Sequence, residues 1–215
     1  MKGTEIQPGL WLDSRRAVYF EPLGLLAVAD LHWGYAASHQ AAGNLLPSWG
    51  DEEIERRLHA LISEYQPAEM IWVGDSLHDL NGRRPAELFL QACGLPVILL
   101  PGNHDRKWNV AKERSLSRGN FFFHHGDTVL AAPDQSVEVI GHFHPAFSWY
   151  DGAGGRMKLP GLVRGPKKII LPAFSPWAAG TPWNSSLADD EELWVISPNR
   201  MFPVTTKLIQ KSRFQ

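Results

Sequence analysis

Apolar residues in this chain fall into short runs, each ended by glycine, proline or a polar residue, and their spacing predicts the elements. Leu10-Trp11-Leu12-Asp13 and Ala17-Val18-Tyr19-Phe20, on either side of Ser14-Arg15-Arg16, read as a hairpin. Leu25–Ala29, Met70–Val73, Val97–Leu100, Phe121–Phe123 and Val137–Ile140 have the length and composition of buried strands. From Asp51 to Tyr65, Ile54, Leu58, Leu61, Ile62 and Tyr65 recur at helical spacing behind an acidic first turn. Pro85 to Ala92 reads as a second helix, with Pro in its first turn and Gly94 past its end. Lys168–Leu171 and Leu193–Ile196 are further β-like runs among loops rich in Gly, Pro and Trp. No repeat and no linker divides the chain, so one domain over residues 1–215 is expected, with a mobile polar tail from 205 to 215.

Composition changes this picture little. With 215 residues, 44% hydrophobic and 20% charged, the chain can build one sizeable core. No apolar run approaches the roughly 18 residues of a membrane span, so no membrane partner is expected. Residues 1–10 lack the basic and apolar regions of a secretory signal, and cytoplasmic residence is the default expectation. The one cysteine, Cys93, excludes an internal disulfide and a thiolate cluster and reads as a buried small residue. A net charge of −2 gives no global basic footprint for nucleic acid.

The chemistry lies where the strands end. Five of the runs lead into Asp30/His32, Asp75, Asn103/His104, His125 and His142/His144. Ligands of open α/β sheets bind outside the carboxyl ends of strands. Strand geometry turns residues i and i+2 the same way, so Asp30/His32 and His142/His144 are each expected to chelate one ion. Any one of these pairs occurs by chance. With His104 set aside, seven metal-type side chains at one sheet edge point to a metal site.

Imidazoles, carboxylates and one amide, without sulfur, make calcium or magnesium a poor fit and leave manganese, iron and zinc. Seven ligands exceed one tetrahedral site, so two divalent ions sharing a carboxylate is the economical arrangement, with Asp75 as the bridge. Two such ions with Asp30 and Asp75 leave a local positive excess that attracts an anionic ester without any basic protein surface. A metal-bridging hydroxide would attack phosphorus, and the leaving alkoxide needs a proton. His104, beside a ligand but not needed as one, is the candidate general acid, with Asp105 as its possible orienting group.

These residues resemble a known family. Asp30-x-His32, Gly74-Asp75, Gly102-Asn103-His104-Asp105, His125-Gly126 and Gly141-His142-x-His144 are similar, in order and over residues 25 to 145, to the five motifs of the calcineurin-like metallophosphoesterases. The resemblance implies an α/β fold, a four-layer αββα sandwich of two mixed β-sheets flanked by helices, with a binuclear site. It also implies that Asp30, His32, Asp75 and His144 hold one metal, that Asp75, Asn103, His125 and His142 hold the other, and that His104 stands at the scissile phosphate. Two departures stand out. His78, followed by Asp79, occupies a position usually held by Asp or Asn, and the fourth motif is a double histidine, in which His124 is expected to pack rather than ligate.

A narrower resemblance joins Asp30-Leu31-His32-Trp33-Gly34-Tyr35, Gly43…Pro47, Gly74-Asp75-Ser76-Leu77-His78-Asp79 and Leu171-Pro172-Ala173-Phe174 to the bacterial DNA ligase-associated phosphoesterases. That group implies a manganese-dependent phosphodiesterase and DNA endonuclease acting in repair; the partners expected here are a phosphodiester substrate such as single-stranded DNA and a functional link to a DNA ligase and a helicase. Arg164, Lys167 and Lys168, and Arg83, Arg84, Arg106 and Lys107, could contact flanking phosphates. Trp33, Trp108, Trp177 and Trp183 sit in loops where bases could stack, whereas Trp11, Trp72 and Trp194 read as core. His39 and His59 default to structural roles. A small-molecule phosphoesterase acting on nucleotides or lipid diphosphates is the alternative, and a non-catalytic scaffold ranks last because every ligand position is filled.

Overall fold

The computed structural model describes residues 3–109, 113–150, 153–197 and 199–208. β1 (Thr4–Gln7) pairs antiparallel with β2 (Leu10–Asp13), which turns at Ser14–Arg16 into β3 (Ala17–Phe20), with Leu10 opposite Phe20 and Asp13 opposite Ala17. β3 pairs antiparallel with β4 (Leu25–Val28). After α1 (Tyr35–Ala41) and α2 (Gly50–Tyr65), β5 (Glu69–Val73) lies parallel to β4. After α3 (Arg83–Ala92), β6 (Val97–Leu100) lies parallel to β5 and closes the sheet as an edge strand, which leaves Val97, Ile98 and Leu99 only half-buried. The order is β1-β2-β3-β4-β5-β6.

The second sheet holds β7 (Ser115–Arg118), β8 (Phe121–His124), β9 (Val137–Ile140), β10 (Pro145–Tyr150), β11 (Arg156–Arg164), β12 (Lys168–Ile170), β13 (Thr181–Pro182), β14 (Glu192–Ile196) and β15 (Met201–Val204). Its path is β13-β10-β11-β12-β9-β8-β7, with β14 on β11 and β15 on β14. β8, β9 and β12 run parallel. Both sheets are therefore mixed.

Strand alternation explains the unbroken apolar runs. In β4, Leu25 and Ala27 face the second sheet and pack with Phe123, Val139, Leu162 and Ile169. Leu26 and Val28 face the other way, onto Ile54, Leu58 and Leu61 of α2 and Phe89 of α3. A strand covered on both faces has no polar alternate position. The helices thus flank the first sheet. On the outer face of the second sheet, Ile140, Val163, Ile170 and Val195 pack with Leu187 and Trp183 from the loop before β14.

Several expectations change with tertiary context. Trp33 and Trp108 are buried in the core under the helices and cannot stack on bases. Trp11 and Trp194 are half-buried, as is Cys93. Residues 205–208 are described, with Thr206 Oγ1 donating to Asp189 at 2.9 Å, and the rest of the expected tail lies outside the described residues. No described helix is long and apolar enough to cross a membrane.

Candidate metal centre

Parallel alignment of β4, β5 and β6, and of β8 and β9, brings their carboxyl ends to one edge, where the two sheets meet. The chain leaves extended geometry there. Asp30 (φ 56°), His32 (52°), Asp75 (46°), His142 (66°) and His144 (47°) are five of the eight non-glycine residues with positive φ among the described residues. Such conformations cost L residues energy and cluster at functional sites.

That bend overrides strand alternation. Donor atoms gather as Asp30, His32 and His144 in one group and Asp75, His125 and His142 in another, each within 4.8 Å of one another. Asp30 and His32 stay together, but His142 and His144 part, because neither is in a strand and each turns at a left-handed residue.

Within the first group His144 Nε2 lies 3.2 Å from Asp30 Oδ1. Within the second, His125 Nε2 lies 3.3 Å from Asp75 Oδ2, 3.2 Å from His142 Nδ1 and 3.3 Å from Asn103 Oδ1. The backbone N–H of His142 donates to both Asp30 oxygens at 3.1 and 3.0 Å, which ties the groups together. Glycine precedes three of the ligand positions, Asp75, Asn103 and His142, for lack of room, and a Cβ on Gly141 would press on the Asp30 carboxylate and Ala29. A Cβ on Gly102 would collide with the Asp75 backbone and carboxylate, and one on Gly74 would collide with the His125 ring.

Two buried carboxylates among buried imidazoles form a charged cluster that needs compensation. Burial opposes a charge on His125, but its contact with Asp75, with Asp30 behind it, outweighs that and lifts the imidazole to about 9. Burial likewise works against the Asp75 carboxylate, and His125 outweighs it, holding Asp75 at about 2. His32 goes the other way: burial, helped by the neighbouring His144, His104 and His78, pushes it down to about 3 against the pull of Asp75. It is thus a neutral imidazole, the form that ligates metals, and its buried Nδ1 has no partner among the described residues. Carboxylate, imidazole and amide donors in two adjoining groups fit a pair of divalent transition ions.

His104 is exposed at the rim, with its Nδ1 2.8 Å from the His78 carbonyl oxygen and its ring edge-on to His32 at 5.0 Å. Asp105 does not orient it. That carboxylate is buried, which pushes its pKa up, and it accepts the backbone N–H groups of Leu77 (2.9 Å), Gly102 (3.0 Å) and Ser76 (3.1 Å). It fastens the loop after β6 to the loop after β5. Asp79 accepts from Asn81 N–H at 2.8 Å and caps the turn Leu80–Gly82. His124 is buried with Nε2 3.2 Å from Glu138.

Two cavities flank the donor groups. One, about 370 Å³, is lined by His144, Arg16, Lys158 and the 176–180 loop. The other, about 420 Å³, is lined by Asn103, His104, Arg106, Lys107 and Trp108. Arg106 and Lys107 thus reach the site. Arg164 and Lys168 do not: they sit at the turn joining β11 to β12, at the far end of the parallel strands, where Arg164 pairs with Glu192 at 2.7 Å. Arg83 pairs with Glu87 at 2.8 Å. Sequence reasoning also missed a series of rings. His104 stacks with His78 (5.2 Å), His78 meets Tyr35 (4.7 Å) and His39 (5.7 Å), Tyr35 stacks with Trp177 (6.0 Å), and Trp177 meets the exposed Trp49 (4.7 Å).

The chain is similar to known proteins. A solved structure of the Pseudomonas putida nuclease MPE superposes with a TM-score of 0.72 at 28% identity, covering 91% of this chain and 94% of that one. A Vps29 single mutant from Entamoeba histolytica covers 84% of this chain and 98% of its own at 13% identity, with a TM-score of 0.38. No curated protein matches the chain in sequence. The calcineurin-like phosphoesterase family model matches residues 23–194, a span that takes in β4, β5, β6, β8 and β9 with every donor at their ends. The chain therefore belongs to the calcineurin-like phosphoesterases, hydrolases that work through a pair of divalent metal ions.

Proposed function

We propose that this chain is a manganese-dependent phosphodiesterase that cuts single-stranded DNA internally and serves DNA repair together with a DNA ligase and a helicase. Asp30, His32, Asp75 and His144 hold one ion, and Asp75, Asn103, His125 and His142 hold the other. The observation that carries the reading is the position of Asp75. It contacts His125 of one donor group, and its charge acts on His32 of the other.

When bound, such an ion pair lowers the pKa of water and neutralises charge on phosphoryl oxygens. The protein supplies the rest. His104 Nδ1 faces a carbonyl oxygen, so Nδ1 carries a fixed hydrogen and Nε2 is the nitrogen that passes its proton to the leaving oxygen. His32 and His78 hold that ring in place from two sides. Arg106 and Lys107 place cations beside it, where a flanking phosphate would pass. A polynucleotide substrate is supported by the likeness to the Pseudomonas putida nuclease and by the cavities on both sides of the donors, which leave room for a chain that continues past the cleaved bond. A donor set without sulfur suits manganese.

The test is incubation of covalently closed single-stranded DNA with manganese-loaded protein, with His104→Ala as the control for contaminating nuclease. Linear product from wild type alone is expected. An intact circle, with the same preparation hydrolysing bis(4-nitrophenyl) phosphate, would overturn the endonuclease reading in favour of a small-molecule diester.

A further inference from the structure

We propose that Arg16 and Lys158 form a second phosphate subsite, which takes the phosphate one nucleotide removed from the cleaved bond on the His144 side of the metal centre. The inference rests on the polynucleotide reading above and refines it. Both cations line the same cavity as His144, one of the metal donors.

Arg16 is kept there against two costs. It closes the β2–β3 hairpin at φ 71°, a conformation that hairpin turns usually give to glycine or asparagine. The residue is also half-buried. That burial, with Arg57 adding like-charge repulsion and Glu53 offsetting only part of it, pulls its guanidinium down to about 10, and it remains a cation at neutral pH. Among the described residues no carboxylate pairs with it. Its Nη1 donates to the carbonyls of Ser175 (2.6 Å) and Ala173 (3.3 Å), and the hydrogens on Nε and Nη2 have no described acceptor. Lys158, exposed on β11, is in a similar position, with Nζ donating to the Gly180 carbonyl at 3.1 Å and no described acidic partner.

Carbonyls orient a cation without neutralising it, and Glu53, the carboxylate that acts on Arg16 from a distance, is itself engaged by Arg56 at 2.8 Å and Arg57 at 2.6 Å. A phosphodiester supplies one negative charge and two acceptor oxygens, which suits the free Nε/Nη2 edge of the guanidinium and an ammonium lining the same cavity. A substrate with a single phosphate, placed on the metals, has no second phosphate to offer this pair. The subsite therefore favours chains over small diesters.

The experiment compares TpT with the same dinucleotide carrying a terminal phosphate, at the 5′ or the 3′ end, using manganese-loaded full-length protein. In wild type, the phosphate at one end lowers KM about tenfold, the ratio expected of one charge-assisted hydrogen bond. Lys158→Gln and Arg16→Gln each bring that ratio below about twofold, and Arg16→Lys restores part of it. A wild type indifferent to terminal phosphate at both ends overturns the subsite, as does a ratio that survives both Gln variants. If Arg16→Gln fails to fold because the Ala173–Ser175 backbone loses its clasp, Lys158→Gln decides alone. Uncleaved dinucleotides together with an intact single-stranded circle, while bis(4-nitrophenyl) phosphate is hydrolysed, overturn the polynucleotide reading instead, and the subsite with it.

Discussion

The backbone N–H of His104 donates to Asp75 Oδ1 at 2.9 Å, so the carboxylate between the two donor groups also fixes the start of the loop that carries the proposed acid. Its other oxygen faces His125 at 3.3 Å. Asp75→Ala should therefore release both ions and lower turnover by more than about 100-fold, beyond the loss typical of residues that merely support a ligand. Metal content per chain by plasma mass spectrometry checks this. Two ions retained in the Ala variant would rule out a shared carboxylate.

His104→Ala should keep both ions, since the ring is not among the proposed donors. The loss of a general acid costs about 10²- to 10⁴-fold on diesters with poor leaving groups. With 4-nitrophenolate, which leaves without a proton, the loss should be far smaller. The comparison is kcat on a dinucleotide against kcat on bis(4-nitrophenyl) phosphate, and equal loss on both would remove His104 from the proton-transfer step.

The metal-free protein should lose stability as the solution becomes alkaline. His125 is lifted from its ordinary 6.5 to about 9 by Asp75 and Asp30 in spite of its burial. A group raised by folding contributes fully below its unfolded pKa and loses that contribution as pH rises through the folded one. The melting temperature of metal-free protein should thus fall by about 5 °C or more between pH 6.5 and 9. Saturating manganese should abolish the fall, because a ligated His125 is already deprotonated. A flat metal-free profile over that window would contradict the Asp75–His125 pairing.

How much of this was legible in the sequence depends on what each residue answers to. Leu25–Val28 and Met70–Val73 are apolar at every position because both faces of their strands are covered, so the runs announce themselves and the Asp after each stands out. β11 does not: Arg156, Lys158 and Pro160 sit on a solvated stretch with no apolar run to read. α1 has only seven residues, too few to hold a helix unaided, and the Gly34 N–H that opens it is bonded to Asp51, a partner local pattern cannot supply. Trp33 and Trp108 look like loop residues available to a ligand, and only the packing of α2 and α3 shows them buried. Asp105 follows His104 in sequence and so invites a catalytic role, yet its oxygens serve backbone amides 28 and 29 positions away.

Trp49 should contribute to binding of single-stranded DNA. It is 46% exposed and begins the series of rings that leads through Trp177, Tyr35 and His78 to His104. A base stacked on an aromatic side chain contributes about 1–3 kcal/mol, so Trp49→Ala should weaken binding about tenfold. Fluorescence anisotropy with labelled oligothymidylate measures it. A change below about twofold would exclude the indole as a platform.

Tyr65→Phe tests a link far from the metal edge. The Tyr65 hydroxyl donates to Asp13 Oδ2 at 2.8 Å and accepts the Gly3 N–H at 2.8 Å, while Asp13 also takes Arg15 Nε and Nη2 at 2.7 Å each. This network joins the last turn of α2 to the hairpin that carries Arg16. Removing the hydroxyl leaves a nearly buried carboxylate short of one donor and an amide short of its acceptor, which should cost about 1–3 kcal/mol of unfolding free energy in urea. Asp13 still has Arg15, so the loss should stay at that scale rather than abolish folding. Metal content should not change, because the donors sit on other loops. A Phe variant as stable as wild type would mean that water replaces the hydroxyl at both partners, and that the Arg15–Asp13–Glu64 bridge suffices to tie the hairpin to α2.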